Sequence, residues 1–265
     1  MELLNAAKTG KKERPIKVLQ FGEGNFLRAF VDYFIDIANE KGMFDGDIVL
    51  VKPIDGPGIL NMFHDQDCQY TVCLRGIADG EPKVEKRVIT SVADVVDAYA
   101  EYQKYSDYAK LDSLRYIVSN TTEAGIVFDD TDKFELDPPK TYPGKLCKFL
   151  YTRYRHFNGA ADKGLVMLPV ELIDDNGIML KKCVTDFAKL WNLEEGFLKW
   201  LDDACVFTST LVDRIVTGYP RDDAEELWKD FGYCANIVVT AEPFDLSVIE
   251  SAKDISKEFP LPDAG

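Results

Sequence analysis

The sequence predicts an α/β fold, with a doubly wound, mainly parallel sheet and helices on both of its faces. Three features predict it. The run Ile16 to Phe21 is short and mostly apolar and is closed by glycines at 22 and 24, the pattern of a buried strand entering a tight turn. The next segment, Phe26 to Asn39, places Phe26, Phe30, Phe34 and Ile37 at helical spacing, with Val31 and Ile35 beside them. A second apolar run, Asp47 to Val51, follows the glycines at 42 and 46, so the N-terminal part reads strand, turn, helix, strand, the unit that builds parallel sheets.

The alternation continues along the chain. Gln69 to Leu74 and Lys83 to Ile89 read as strands around the Asp79–Gly80 turn, and Ser91 stands where it could cap a helix running through Val95, Val96, Tyr99 and Tyr102. Tyr116 to Ser119 is a strand that ends in Asn120-Thr121-Thr122-Glu123. Helices are expected over 143–157, 178–191, 193–204 and 222–231, and strands over 165–170, 206–211 and 236–240. The expected organisation is a polar leader over 1–15, one domain over 16–258 and an irregular tail over 259–265, without internal repeats or low-complexity stretches.

Composition narrows the class. With 265 residues, 46% of them hydrophobic, the chain can bury a sizeable core. A net charge of −15 and the lack of any Lys/Arg cluster argue against a nucleic-acid partner, because a polyanionic backbone needs a basic face. No apolar run reaches the length of about 18 residues that a membrane span needs. None of the six cysteines forms a C-x-x-C pair, so they read as small buried hydrophobes in a reducing compartment. Residues 1–15 lack the apolar segment of a secretory signal, and a cytoplasmic location is expected.

The first chemical signal is Val18-Leu19-Gln20-Phe21-Gly22-Glu23-Gly24-Asn25-Phe26-Leu27-Arg28-Ala29. A dinucleotide pyrophosphate needs backbone N–H groups at a helix start and no Cβ in its path. Gly22 permits the turn, and Gly24 lets the backbone approach a phosphate. The third glycine of G-x-G-x-x-G is replaced by Leu27, so the motif is partial. Arg28 reads either as a phosphate ligand or as a solvated helix arginine. The second strand ends in Val51-Lys52-Pro53 rather than in an acid that would bind ribose hydroxyls, with Asp55 a little later, which leaves NAD and NADP both open. Lys52 reads either as a partner for a 2′-phosphate or as a solvated side chain.

Four blocks in order then resemble one family. Phe21 through Phe30 resembles the opening of the mannitol dehydrogenase family of long-chain polyol dehydrogenases. Ser119 through Gly125, Glu171 through Asn176-Gly177, and Ser209-Thr210-Leu211-Val212-Asp213-Arg214-Ile215 resemble three of its later blocks. Within the family, Gln20 to Asp32, His156 through Ala160 and Ser209 through Asp222 are most similar to its sugar-acid branch, and Val51 through Asp55 fits that branch too. The resemblance implies a Rossmann-like NAD-binding domain, with the turn residues Val18 to Ala29 and Pro53, Asn120, Thr121 and Glu123 around the cofactor. It implies metal-independent, reversible hydride transfer between NAD(H) and C3 of D-altronate or D-tagaturonate. Glu171 would lie at the substrate, and Asp213 would assist there. Where polyol-specific relatives carry Asp-Asn, this chain has Glu171-Leu172, so polyol substrates do not carry over.

The family's proton donor is a lysine in a K-x-x-x-x-N-x-x-H segment. His64 has Asn61 before it but Gly56 in the lysine position, and His156 has Arg153 in the asparagine position. No catalytic residue is therefore expected within these residues, and the catalytic and substrate domain is expected elsewhere in the polypeptide. An S-adenosylmethionine-dependent methyltransferase would not need Arg28, since its ligand lacks a pyrophosphate. A nucleotide-sensing module would need an effector segment, and none is visible.

Overall fold

The computed structural model describes residues 1–78, 80–122 and 124–259. The order of elements is α1 (Ala6–Thr9), β1 (Ile16–Phe21), α2 (Asn25–Ala29), α3 (Val31–Glu40), β2 (Asp47–Lys52), α4 (Leu60–Asp65), β3 (Tyr70–Ala78), β4 (Glu81–Ile89), β5 (Val92–Asp97), α5 (Tyr102–Asp107) and β6 (Tyr116–Ser119). It continues α6 (Tyr142–His156), β7 (Val166–Pro169), α7 (Asn176–Leu190), α8 (Glu195–Asp203), β8 (Val206–Phe207), β9 (Ser209–Asp213), β10 (Val216–Gly218), α9 (Ala224–Phe231), β11 (Val238–Ala241) and β12 (Leu246–Glu250).

The principal sheet has the order β5-β2-β1-β6-β7-β8 with every neighbouring pair parallel. The chain works outward from β1 through β2 to β5, then crosses to β6 and works outward to β8. β1 and β6 therefore flank the topological switch point of a Rossmann-like fold, where open parallel sheets bind ligands. Alternate strand residues enter opposite cores, as a period of two requires. Val18, Leu50 and Val118 pack with α2 and α3 on one face, while Leu19, Val49 and Ile117 pack with α6, α7 and α8 on the other. Burial on both faces explains why these strands read as continuous apolar runs.

A second sheet, of order β10-β11-β3-β4, lies against α2 and α3, and β9 and β12 form a separate antiparallel ribbon. The expected strands at 69–74 and 83–89 are the hairpin β3–β4, although Asp79 of the turn lies outside the described residues.

Three expectations are corrected. The helix expected from Ser91 is the strand β5, and its apolar spacing arises because Val92, Val95 and Val96 are all buried beside β2. β-Branched residues favour that outcome, and the side chain of Asp97 then caps the turn by accepting from the amides of Tyr99 and Ala100. The helix expected over 26–39 breaks at Phe30, whose φ of −124° and ψ of −85° leave the helical region. The break has a partner: the carbonyl of Ala29 accepts from Arg214 Nη1 at 2.8 Å instead of from the next helical turn. The strand expected over 206–211 divides into β8 and β9, which belong to different sheets. Within residues 1–15, Leu4 is fully buried and its amide bonds the Cys234 carbonyl. Five of the six cysteines are buried and none is paired.

A very tight approach occurs at Gly177 in the first turn of α7, against the backbone between β8 and β9. A Cβ there would stand 1.9 Å from the Thr208 carbonyl oxygen, which is backbone and has little room to yield. Gly177→Ala is expected to cost about 2–3 kcal/mol, the upper part of the overpacking range, read as a lower urea midpoint with an unchanged m-value.

Candidate functional site

The carboxyl end of β1 leads directly into the turn that the sequence singled out. Gly22 has φ +122°, its amide bonds the Val51 carbonyl, and a Cβ on it would lie 3.3 Å from the Asn120 carbonyl oxygen. Both the backbone conformation and the neighbour therefore require glycine. Gly24 differs: its φ is ordinary and nothing lies within 4 Å of a Cβ built there. It faces open space at the N-terminus of α2. No side chain caps that helix, so its first amides are left without a capping acceptor.

The surface of the turn consists of Glu23, Gly24 and Asn25, with Phe26 partly covered. Val18, Leu19, Gln20, Phe21, Leu27, Arg28 and Ala29 are buried behind it. Arg28 is neither solvated nor turned toward the cleft. Its Nη2 donates to Asn25 Oδ1 at 2.6 Å, and its guanidinium lies 5.9 and 5.8 Å from the ring centres of Phe63 and Tyr70. Asn25 is in turn backed by β10, where a Cβ on Gly218 would stand 2.7 Å from Asn25 Nδ2. Arg28 thus acts from behind, fixing Asn25 at the front of the turn.

At the end of β2, Lys52 is buried, and its Nζ pairs with Asp97 Oδ2 at 2.7 Å. Both sequence readings of Lys52 are corrected: the ammonium joins β2 to β5 and is neither solvated nor free for a 2′-phosphate. Pro53 follows at the rim, half-buried, and Asp55 is exposed.

On the other side of β1, the loop after β6 is tied to the loop after β7. Glu171 is buried, and its Oε1 accepts from the Thr121 amide at 3.1 Å and the Thr121 hydroxyl at 2.9 Å, while Oε2 accepts from Ser119 Oγ at 3.2 Å. Burial pushes the Glu171 carboxyl up, against these hydrogen bonds, which pull it down. Asn120 is fixed as well, its amide bonding the Phe21 carbonyl and its Nδ2 the Val170 carbonyl at 2.8 Å. A cleft of about 340 Å³ opens here between Asn120, Thr122, Ala124, Glu171 and the exposed Leu172. Glu123 lies outside the described residues.

Two residues inside the quoted blocks carry roles that the sequence reading missed. Asn176 is buried, with Nδ2 within bonding distance of the carbonyls of Pro169, Glu171 and Thr210 and Oδ1 accepting from the Thr210 amide. It holds β7, α7 and β9 together. Arg214 is buried over Tyr33 and Phe34 and donates to the carbonyls of Ala29, Glu242 and Pro243. Its neighbour Asp213 is exposed at the end of β9. Only the partners, which are mostly backbone carbonyls, reveal these roles.

The remaining proton-transfer candidates lie elsewhere. His156 ends α6, a helix about 22 Å long that starts near the carboxyl edge of the sheet and runs away from it. His64 is exposed beside Cys68 and Asp94, the one group of metal-type ligands among the described residues, and Asp94 Oδ2 already binds the Lys104 ammonium at 2.7 Å. Burial pushes Lys145 down to about 8, but its ammonium is enclosed, donating to the Lys140 carbonyl and the Tyr99 hydroxyl.

A parallel sheet with a glycine turn at its switch point defines a Rossmann-type nucleotide-binding domain. The profile of the mannitol dehydrogenase Rossmann domain matches residues 16–262, and the chain belongs to the mannitol dehydrogenase family. Altronate oxidoreductase of Bacillus subtilis is 45% identical over 95% of this chain and 52% of its own length. That of Bacteroides thetaiotaomicron is 43% identical over the whole chain and 55% of its length, and that of Yersinia enterocolitica is 44% identical over 98% and 54%. The chain thus spans about half the length of these relatives. The same fold occurs in Pseudomonas fluorescens mannitol 2-dehydrogenase, solved as a ternary complex with NAD and D-mannitol, with a TM-score of 0.80 at 23% identity over 94% of this chain and 54% of that one. It occurs also in substrate-free D-sorbitol dehydrogenase, with a TM-score of 0.79 at 22% identity over 99% and 58%.

Arg214→Lys retains the charge but not the planar fork that reaches three carbonyls. It is expected to destabilise the domain by about 1–3 kcal/mol, the cost of leaving buried acceptors unmatched, and to speed amide exchange in residues 29–34 before the rest of the sheet.

Proposed function

We propose that this chain binds NAD(H) at the Gly22–Asn25 turn and forms the nucleotide-binding half of an enzyme that interconverts D-altronate and D-tagaturonate by hydride transfer at C3. The observation that carries the reading is the uncapped start of α2 behind Gly24, open at the switch point of a chain that is 43–45% identical to altronate oxidoreductases almost end to end. NAD would supply the hydride acceptor, and NADH the donor.

The residues of this chain bind and orient. Gly22 lets the backbone cross between β1 and β6, and the first amides of α2, with Gly24 leaving the way clear, would take the pyrophosphate. Pro53 and the loop at Asn120–Thr121 would border the dinucleotide, and Glu171 clamps that loop through Thr121. Leu172 presents an apolar wall where a polyol would need a hydrogen-bonding side chain, which favours a sugar acid over a polyol. Glu171 borders the substrate cleft, and Asp213 is an assisting group at most. Neither histidine is positioned as a proton donor, so the donor and most substrate contacts come from polypeptide outside these 265 residues. Five buried, unpaired cysteines fit a reducing compartment, and the location proposed is the cytoplasm.

Gly24→Val tests the turn. Because nothing lies within 4 Å of the added Cβ, the variant is expected to fold as the parent does while losing NADH binding in a fluorescence titration. Unchanged NADH affinity would remove the turn from the site.

Activity is expected to need the longer polypeptide. Positioned acid catalysis contributes on the order of 10²–10⁴ in rate, and this chain lacks the donor, so alone it is expected to turn over tagaturonate at no more than a background rate. The full-length enzyme should reduce tagaturonate with NADH and keep its rate after chelation. Robust turnover by residues 1–265 alone would place the donor within them, and a preference for fructuronate would change the substrate while leaving the mechanism.

A further inference from the structure

Behind the phosphate turn lies a buried polar cluster that the cofactor contacts do not use. Asp32, in the first turn of α3, is fully buried. The Tyr70 hydroxyl of β3 stands 2.7 Å from Asp32 Oδ2 and 3.0 Å from the Arg28 carbonyl oxygen. A hydroxyl has one proton, while an ionised carboxylate and a carbonyl both only accept. With Asp32 ionised, Tyr70 can satisfy one of them and must leave the other facing a bare oxygen. Two more buried acceptors nearby have no donor, Asp32 Oδ1 and Gln20 Oε1. Gln20 Nε2 meanwhile donates to the Gly22 carbonyl at 3.2 Å, so the same cluster touches the turn at both Gly22 and Arg28.

One added proton settles the competition between Asp32 Oδ2 and the Arg28 carbonyl for the Tyr70 hydroxyl. If Asp32 is neutral, its Oδ2–H donates to Tyr70 Oη, and the Tyr70 proton is then free for the Arg28 carbonyl. We propose that Asp32 is a proton-dependent positioning residue: neutral, it completes the chain from Asp32 through Tyr70 to the Arg28 carbonyl that fixes the phosphate turn, and its ionisation loosens that turn. The inference rests on the reading of the turn as the NAD(H) site.

The surrounding charges leave the group poised. Burial drives the Asp32 carboxyl up from 3.8 to about 7, against the Tyr70 hydrogen bond, the nearby Gln20 amide and the charge of Arg28, with Asp36 one turn along α3 adding to the rise. Arg28 favours the ionised form but makes no ion pair with Asp32 among the described residues; its Nη2 donates to Asn25. Asp36 is itself paired with Arg87 at 2.7 Å and accepts from Thr90. Since the folded state holds the proton more tightly than the unfolded one, the stability of the neutral form is complete below about 4 and is withdrawn as pH rises to about 7. Cofactor affinity should follow the neutral fraction of the folded protein.

The test combines a direct readout of the proton with a readout of its effect. In infrared spectra of the chain without cofactor, a protonated-carboxyl stretch is expected at pH 6, lost by pH 8 and missing from Asp32→Asn. If only the neutral form binds, the NADH dissociation constant should rise about tenfold from pH 6 to pH 8. Asp32→Asn, which mimics the neutral acid, should hold the pH 6 affinity at both values, and Tyr70→Phe should bind weakly at both. No carboxyl stretch at pH 6, a tenfold dependence that persists in Asp32→Asn, or a Tyr70→Phe variant that behaves like the parent would overturn the proposal. Failure of every form to bind NADH at any pH would instead overturn the cofactor reading, while the infrared titration would still decide whether Asp32 carries the proton.

Discussion

β1 has parallel neighbours on both sides, so the chain leaving it at Phe21 must climb over the sheet edge between the ends of β2 and β6. That passage is narrow. The Gly22 amide is held by Val51 on one side, and the Asn120 carbonyl stands against its Cα on the other. A left-handed backbone step without a Cβ solves the geometry, and the same step aims the start of α2 across the switch point. The concave site is thus a by-product of how a central parallel strand must end.

The turn is then supported from behind by groups that never reach the cleft. Arg28 fixes Asn25, Gly218 admits Asn25 against β10, and Arg214 takes the Ala29 carbonyl out of the helical ladder. On the far side Glu171 and Asn176 secure the loops after β6 and β7. Each of these braces ends on backbone or on a short polar side chain, so the bracing charges lie inside, behind the front of the site. Buried ions of this kind are tolerated because their hydrogen-bonding atoms are matched.

Much of this architecture was legible in the sequence. Tyr116 to Ser119 is a strand as read, and the β1–turn–α2 unit stands where the two glycines place it. What misled was periodicity without depth: Val95, Val96, Tyr99 and Tyr102 fit a helical face, yet Val95 and Val96 are both fully buried because parallel strands bury both faces. Charge misled in the same way. Arg28 and Lys52 looked like surface cations beside a phosphate site, and both point inward to partners that adjacent residues do not announce. Asn176 and Arg214 were in view as parts of larger blocks, but their partners are main-chain carbonyls, and main-chain carbonyls leave no mark in a sequence.

The bond between Arg214 and Ala29 joins positions 185 residues apart. A chain made from its N-terminus exposes β1 and the glycine turn early, long before the arginine that terminates α2 has been synthesised. At about 5–20 residues per second, that interval is on the order of ten seconds or more. Throughout it the turn lacks both Arg214 and the Gly218 strand behind Asn25. The nascent polypeptide therefore carries its most recognisable motif as an unfinished one, and the second sheet sets the moment at which the pocket matures.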